Sequence, residues 1–212
     1  AYSDDDCTAD PHWLEGLAAV FATKADVGLV FGSTLAGAHD PALGMIPAYV
    51  VPKFAVRSGL ASKPLLEGMG ACMAVRVDAW KRIGGFDEHL GAGTPLAAAE
   101  ENDLSIRLLH AGLSVAETPA AVVIHHGFRD RGAASTLVAG YMRGSGAATA
   151  KLLRLGGIRA IAPLYLIGKR WLLGRSAVTL AHLPPRHVRL LHFLRGLRWG
   201  WQQPLDSQTG RF

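Results

Sequence analysis

Cysteine is almost missing from this chain of 212 residues: Cys7 and Cys72 stand 65 positions apart, outside any CxxC spacing. That pattern argues against a zinc site or a disulfide framework and fits a reducing compartment. Charge is sparse too, at 18%, but half of the residues are hydrophobic, so extended disorder is excluded and one sizeable core is within reach. No apolar run is long enough to span a bilayer, and no stretch has the make-up of a signal peptide. The expectation is a cytoplasmic protein, peripheral at most on the inner face of the cell membrane. Acid is what the second part of the chain lacks. Residues 1–128 carry 8 Lys/Arg and 15 Asp/Glu, a net −7, whereas residues 129–212 carry 14 and 2, a net +12. This split suggests an acidic, metal-using body over 1–128 and a basic helical region over 129–212 for an anionic partner.

The most chemically loaded stretch is Asp4-Asp5-Asp6. In a strand, Asp4 and Asp6 share one face, and two carboxylates with no nearby Lys or Arg ask for a cation. Hard oxygen ligands suit Mg²⁺ or Mn²⁺. Asp10-Pro11 reads as a helix start, followed by Leu14, Leu17, Ala18 and Phe21 at helical spacing. Val27–Phe31 reads as a buried parallel strand ended by Gly32-Ser33. Together they spell a βαβ unit with the acids at the carboxyl end of a strand, where open α/β sheets bind ligands.

Residues 34–68, punctuated by Pro41, Pro47, Pro52 and Pro64, read as a long connection with one strand near Tyr49–Val51. Cys72–Val77 reads as a strand, Asp78–Ile83 as a short helix, and Phe86 as a plug returning to the core. The small-residue loop 91–99 delivers Glu100, Glu101, Asn102 and Asp103 to a helix with Leu104, Leu108 and Ala111 on its apolar face, stopped by Gly112. A strand over Ala121–Ile124 runs into His125-His126. The carboxylates also suit a helix dipole, so helix stability alone accounts for them equally well.

Tyr2–Leu17 (YSDDDCTADPHWLEGL), Gly70–Leu90 (GACMAVRVDAWKRIGGFDEHL) and Ala98–His126 (AAEENDLSIRLLHAGLSVAETPAAVVIHH) together resemble the second half of a family 2 glycosyltransferase. The resemblance implies an α/β chain: a partial nucleotide-sugar transferase (GT-A) fold lacking its N-terminal strands, with a helical C-terminal appendage. It implies that Asp4 and Asp6 are the DxD pair, binding the donor with Asp5, and that His125, with His126 as the fallback, completes the shell of Mg²⁺ or Mn²⁺. Glu101 falls where the family's general base stands, with Asp103 as a rival, since Glu-Glu replaces the usual Glu-Asp. Asp87, Glu88 and Glu100 fall on the acceptor side, although a cap or turn role suits Asp87 equally. The implied partners are a nucleoside-diphosphate sugar donor and a saccharide or lipid-linked acceptor, and the implied reaction is an inverting displacement. Only Ala1–Ser3 precede the motif, so the resemblance implies a piece of a longer enzyme, weak in donor binding and inactive as these residues alone.

Two other readings share these residues. Asp4-Asp5-Asp6-Cys7-Thr8 also fits DxDxT, the nucleophile loop of haloacid-dehalogenase-type phosphatases, with Asp4 phosphorylated and Asp6 as acid/base. A catalytically dead transferase fragment serving as a membrane-docking module is the second. In the basic region, helices are expected over Ala133–Leu155, Ile158–Leu173 (kinked at Pro163) and Arg186–Trp199. In the last of these Leu190, Phe193, Leu194 and Leu197 gather on one arc among Arg and His, which suits either an anionic membrane surface or packing on the body. No nucleic-acid motif accompanies the basic stripe, so no nucleic-acid partner is expected.

Overall fold

The computed structural model describes residues 1–161 and 184–212. Most of the expected helix over Ile158–Leu173, with Pro163 and Trp171, lies outside these residues. The architecture is mixed α/β: a mixed sheet with helices on both faces. Its centre is β2 (Val27–Ala36), fully buried through Thr34 and parallel to β6 (Ser114–His125), as the apolar run Val27–Phe31 predicts. The strand continues past Gly32-Ser33 because an irregularity of pairing absorbs that point: the register jumps from Phe31↔Glu117 to Ser33↔Val122. Pro119, which has no N–H for the ladder, falls within the residues skipped.

The short strand β5 (Met73–Val75) pairs antiparallel with the outer edge of β2, and β4 (Ala55–Ser58) pairs antiparallel with the first part of β6. The last part of β6 takes β1 (Cys7–Ala9), also antiparallel, with Cys7 opposite His125. The expected βαβ unit is therefore corrected. β1 and β2 run in opposite senses, and the parallel pair is β2 with β6. The connection between Thr34 and Gly68 holds more structure than expected: β3 (Gly44–Met45), paired with β7 (Arg129–Asp130), then β4 and a 3₁₀ turn at Leu60–Leu65. Tyr49 contributes a single bridge to Thr34 in place of a strand.

One face of the sheet is covered by α1 (Trp13–Thr23), which buries Leu17 and Val20 against Val27, Val30, Ala116 and Val123. The helix starts later than Asp10-Pro11 suggests. Asp10 caps a turn instead, accepting from the His12 N–H at 2.8 Å, and this rotates Leu14 outward to 52% exposure. On the other face lie α2 (Val77–Arg82), α3 (Glu100–His110) and α4 (Arg131–Gly156). Leu104 and Leu108 of α3 meet Ala148 and Leu152 of α4 in one core with Leu29, Phe31 and Met73. Phe86 plugs back as expected, edge-on to Trp80 at 4.8 Å between ring centroids.

The basic region is thus built onto the body through α4, and α5 (Arg186–Gln202) packs on α4 in turn. That contact takes in Phe193 and Leu197 of the expected arc, whose backbone meets Gly146, and leaves Leu190 and Leu194 outside. It uses Gly196 and Gly200, which let the backbones touch: a Cβ on Gly196 would collide with the Arg143 carbonyl oxygen, and one on Gly146 with that of Phe193. Leu190, Leu191 and Leu194 remain about half exposed. Among the described residues, no helix is long and apolar enough to cross a membrane.

Candidate metal and acid–base site

The acids occupy a turn rather than a strand. Tyr2 bridges to Met73, the chain turns over Asp4–Asp6 with the Cys7 N–H reaching the Asp4 carbonyl at 3.2 Å, and β1 begins at Cys7. Asp4 and Asp6 still converge, but the turn rather than strand alternation brings them together. Directly opposed residues of an antiparallel pair project to the same face, so the register Cys7↔His125 sets the thiol beside the imidazole. The result is a group of four, Asp4, Asp6, Cys7 and His125, whose ligand atoms all lie within 4.8 Å of one another.

His125 is buried to 5% exposure, and its Nδ1 lies 2.9 Å from the Pro47 carbonyl oxygen. A carbonyl only accepts, so Nδ1 carries the proton and Nε2 faces the Asp6 carboxylate, 3.2 Å away. An imidazole lone pair against a carboxylate is repulsive unless a proton or a cation lies between them. Gly127 borders the same space. A Cβ there would stand 2.6 Å from His125 Nε2 and press on Asp6 Oδ2, so only glycine leaves room. Two carboxylates, an oriented imidazole and a thiol fit one divalent ion. Burial holds the Asp4 carboxyl above its ordinary pKa, with Asp6 and Asp5 adding to the effect against the pull of His125. Burial likewise raises the Cys7 thiol, and Asp4 adds to it.

His126 follows directly after β6. It is held by Thr8, whose hydroxyl lies 3.0 Å from Nε2, so it is not a member of the group. The same bond occupies the threonine on which the DxDxT reading depends. Asp5 is exposed and lies outside the four.

Glu101 stands in the first turn of α3, after two non-glycine residues in the left-handed region, Ala97 (φ +59°) and Ala99 (φ +77°). Such backbone is costly and persists only where packing enforces it. Desolvation, then the charge of Glu100, raises Glu101 to about 7; Lys63 opposes the shift and Asp4 adds to it. Glu100 lies beside Gly91, with Oε2 buried and without a hydrogen-bond partner among the described residues.

Asp103 and Asp87 are placed elsewhere. Asp103 is completely buried: Arg107 Nη2 approaches one oxygen at 2.7 Å and Lys151 Nζ the other at 2.5 Å. Asp87, at 1% exposure, takes Lys151 at 2.5 Å and the Phe212 N–H at 2.6 Å. Burial favours the neutral acid, but the Lys151 ammonium outweighs it and holds the Asp87 carboxyl below its ordinary range. Both groups clamp α3 and the 84–91 turn to α4: Asp103 has a cation on each oxygen, and Asp87 has Lys151 and the Phe212 N–H on one and the His89 N–H on the other, so both are engaged within the protein. Glu88 is exposed next to this cluster.

Sequence reasoning missed Cys7, Lys63 and Tyr141. Cys7 carried a signal in its adjacency to Asp6, but its spacing to Cys72 drew the reading away from metal. Lys63 is buried to 7% and donates to Asn102 at 2.8 Å. Tyr141 on α4 keeps 36% exposure, and its phenol is raised by partial burial and by the charges of Glu101 and Glu100. Nothing in their local sequence marks either one. A scan against models of known protein families finds no match, and a search of curated proteins finds none either.

Proposed function

We propose that these residues are the metal and acceptor side of a family 2 glycosyltransferase of GT-A fold, moving a sugar from a nucleoside-diphosphate donor to an acceptor hydroxyl, in the synthesis of cell-envelope polysaccharide or glycolipid. The observation that carries this is the convergence of Asp6 and His125, 119 positions apart in sequence, to 3.2 Å around an oriented Nε2. Asp4, Asp6 and His125 would hold Mg²⁺ or Mn²⁺, which when bound neutralises charge on the donor diphosphate. Asp4 and Asp6, with Asp5, face the donor. Glu101 takes the proton from the acceptor hydroxyl as that oxygen attacks the anomeric carbon and the nucleoside diphosphate leaves with inversion. A carboxylate poised at about 7 suits that proton transfer. A lipid-linked acceptor fits the exposed Arg186, Arg195 and Arg198 beside half-exposed leucines on α5, which suit peripheral contact with an anionic membrane.

The test is turnover by the natural polypeptide that contains these residues, offered Mn²⁺ and a panel of nucleoside-diphosphate sugars. Metal-dependent release of nucleoside diphosphate, lost in Asp6→Ala and in Glu101→Gln, is expected. Trapping of phosphate on Asp4, or turnover indifferent to Asp6, overturns the reading.

A further inference from the structure

Cys7 is the member of the group that oxygen-seeking Mg²⁺ has no use for. Its place is set by the β1–β6 register opposite His125, and the sulfur lies within 4.8 Å of the ligand atoms of Asp4, Asp6 and His125. Independently of the thiol, the buried His125 is held at Nδ1 by Pro47, outside the group, and turns Nε2 into it. A set of two carboxylate oxygens, one imidazole nitrogen and one sulfur is the donor chemistry of a four-coordinate borderline ion, whereas Mg²⁺ takes an octahedron of oxygens. The softness of thiolate favours Zn²⁺, Co²⁺ and Cd²⁺ over Mg²⁺ and Mn²⁺.

We propose that Cys7 is a metal ligand and makes this centre selective for a thiophilic divalent ion of the Zn²⁺ class. The inference rests on the metal site of the preceding reading and concerns the identity of the ion. On binding, the thiol releases its proton to solvent and the sulfur forms the bond to the ion, with no change of oxidation state. Asp4, Asp6, Cys7 and His125 would together supply four protein ligands to such an ion.

Co²⁺ titration of the purified chain tests this without any substrate. The expected result is a near-ultraviolet thiolate-to-metal charge-transfer band that saturates at one equivalent, disappears on adding Zn²⁺ and withstands a large excess of Mg²⁺. In Cys7→Ser, shown by circular dichroism to keep its fold, the band should vanish. Zn²⁺ affinity should fall on the order of a hundredfold while Mn²⁺ affinity stays within about threefold. Cys72 is buried in the core, so Cys72→Ala should keep the band. Binding of Co²⁺ without the band, or Zn²⁺ affinity unchanged in Cys7→Ser, overturns the role of the thiol and leaves the transferase reading intact. Failure of the folded wild type to bind Mn²⁺, Co²⁺ and Zn²⁺ alike overturns both.

Discussion

Glu101 is the residue whose chemistry depends most on its surroundings. An ordinary glutamate titrates at 4.5, and this one at about 7 because burial and Glu100 disfavour its charge. Below pH 4.5 the carboxyl is protonated in the folded and unfolded chain alike, and the site imposes no penalty. Between the two values the unfolded chain loses the proton first, so stability falls as pH rises, and above pH 7 the penalty is complete. Glu101→Gln should accordingly stabilise the protein at pH 8 by about 1–3 kcal/mol and leave it unchanged at pH 4, read from urea midpoints. As a base, Glu101 should give a rate that climbs about tenfold per pH unit below 7 and then levels off. Gly127 makes a second prediction at this level. Thermal stabilisation by Mn²⁺ should disappear in Gly127→Ala, as it should in Asp6→Ala, because the added methyl occupies the space facing Asp6 and His125. The legible part of the site was its list of carboxylates and His125. What could not be read was which acids face outward, since Asp87 and Asp103 look no different in sequence from Asp4.

Two helix contacts carry the basic region, and they differ in physics. α4 is held to the body by Lys151, which has no solvent exposure and serves Asp87 and Asp103 together. Removing one partner from such a cluster strands buried charge. Lys151→Met should therefore destabilise by about 3–5 kcal/mol, more than Asp87→Asn, which leaves Lys151 paired with Asp103; chemical denaturation of both variants checks the order. α5 is held to α4 by backbone proximity at Gly146, Gly196 and Gly200. Gly196→Leu should force the helices apart, costing about 1–3 kcal/mol and opening α5 to limited proteolysis while the sheet stays intact. Both helices were visible from periodicity and composition, and Asp10-Pro11 correctly announced a nearby helix. The expected arc of α5 is divided: Phe193 and Leu197 lie beside Gly146 and Leu190 and Leu194 face outward, because glycine decides where and how closely the two helices approach.

Over the whole molecule the charge asymmetry survives folding as a layered arrangement: acidic turn and sheet ends on the body, then α4, then α5 with Arg186, Arg195 and Arg198 exposed. If this basic flank meets an anionic membrane, the chain should sediment with vesicles containing anionic lipid and not with neutral ones, and release should follow as salt rises toward about 0.5 M, where screening extends only a few ångströms. Binding indifferent to salt and lipid charge would refute the membrane partner and leave the site chemistry untouched.

Hydropathy and composition, which act locally, sufficed for the buried parallel strand at Val27–Phe31, the helices at 100–110 and 131–156, the plug at Phe86 and the divided charge. Register and strand direction come from pairings between residues distant in sequence, 118 positions apart for Cys7 and His125, and no local propensity encodes them. That is why β1 emerged antiparallel, why Cys7 came to face His125 with Asp4 and Asp6 beside it, and why two of the acids were drawn into the core by a lysine from α4.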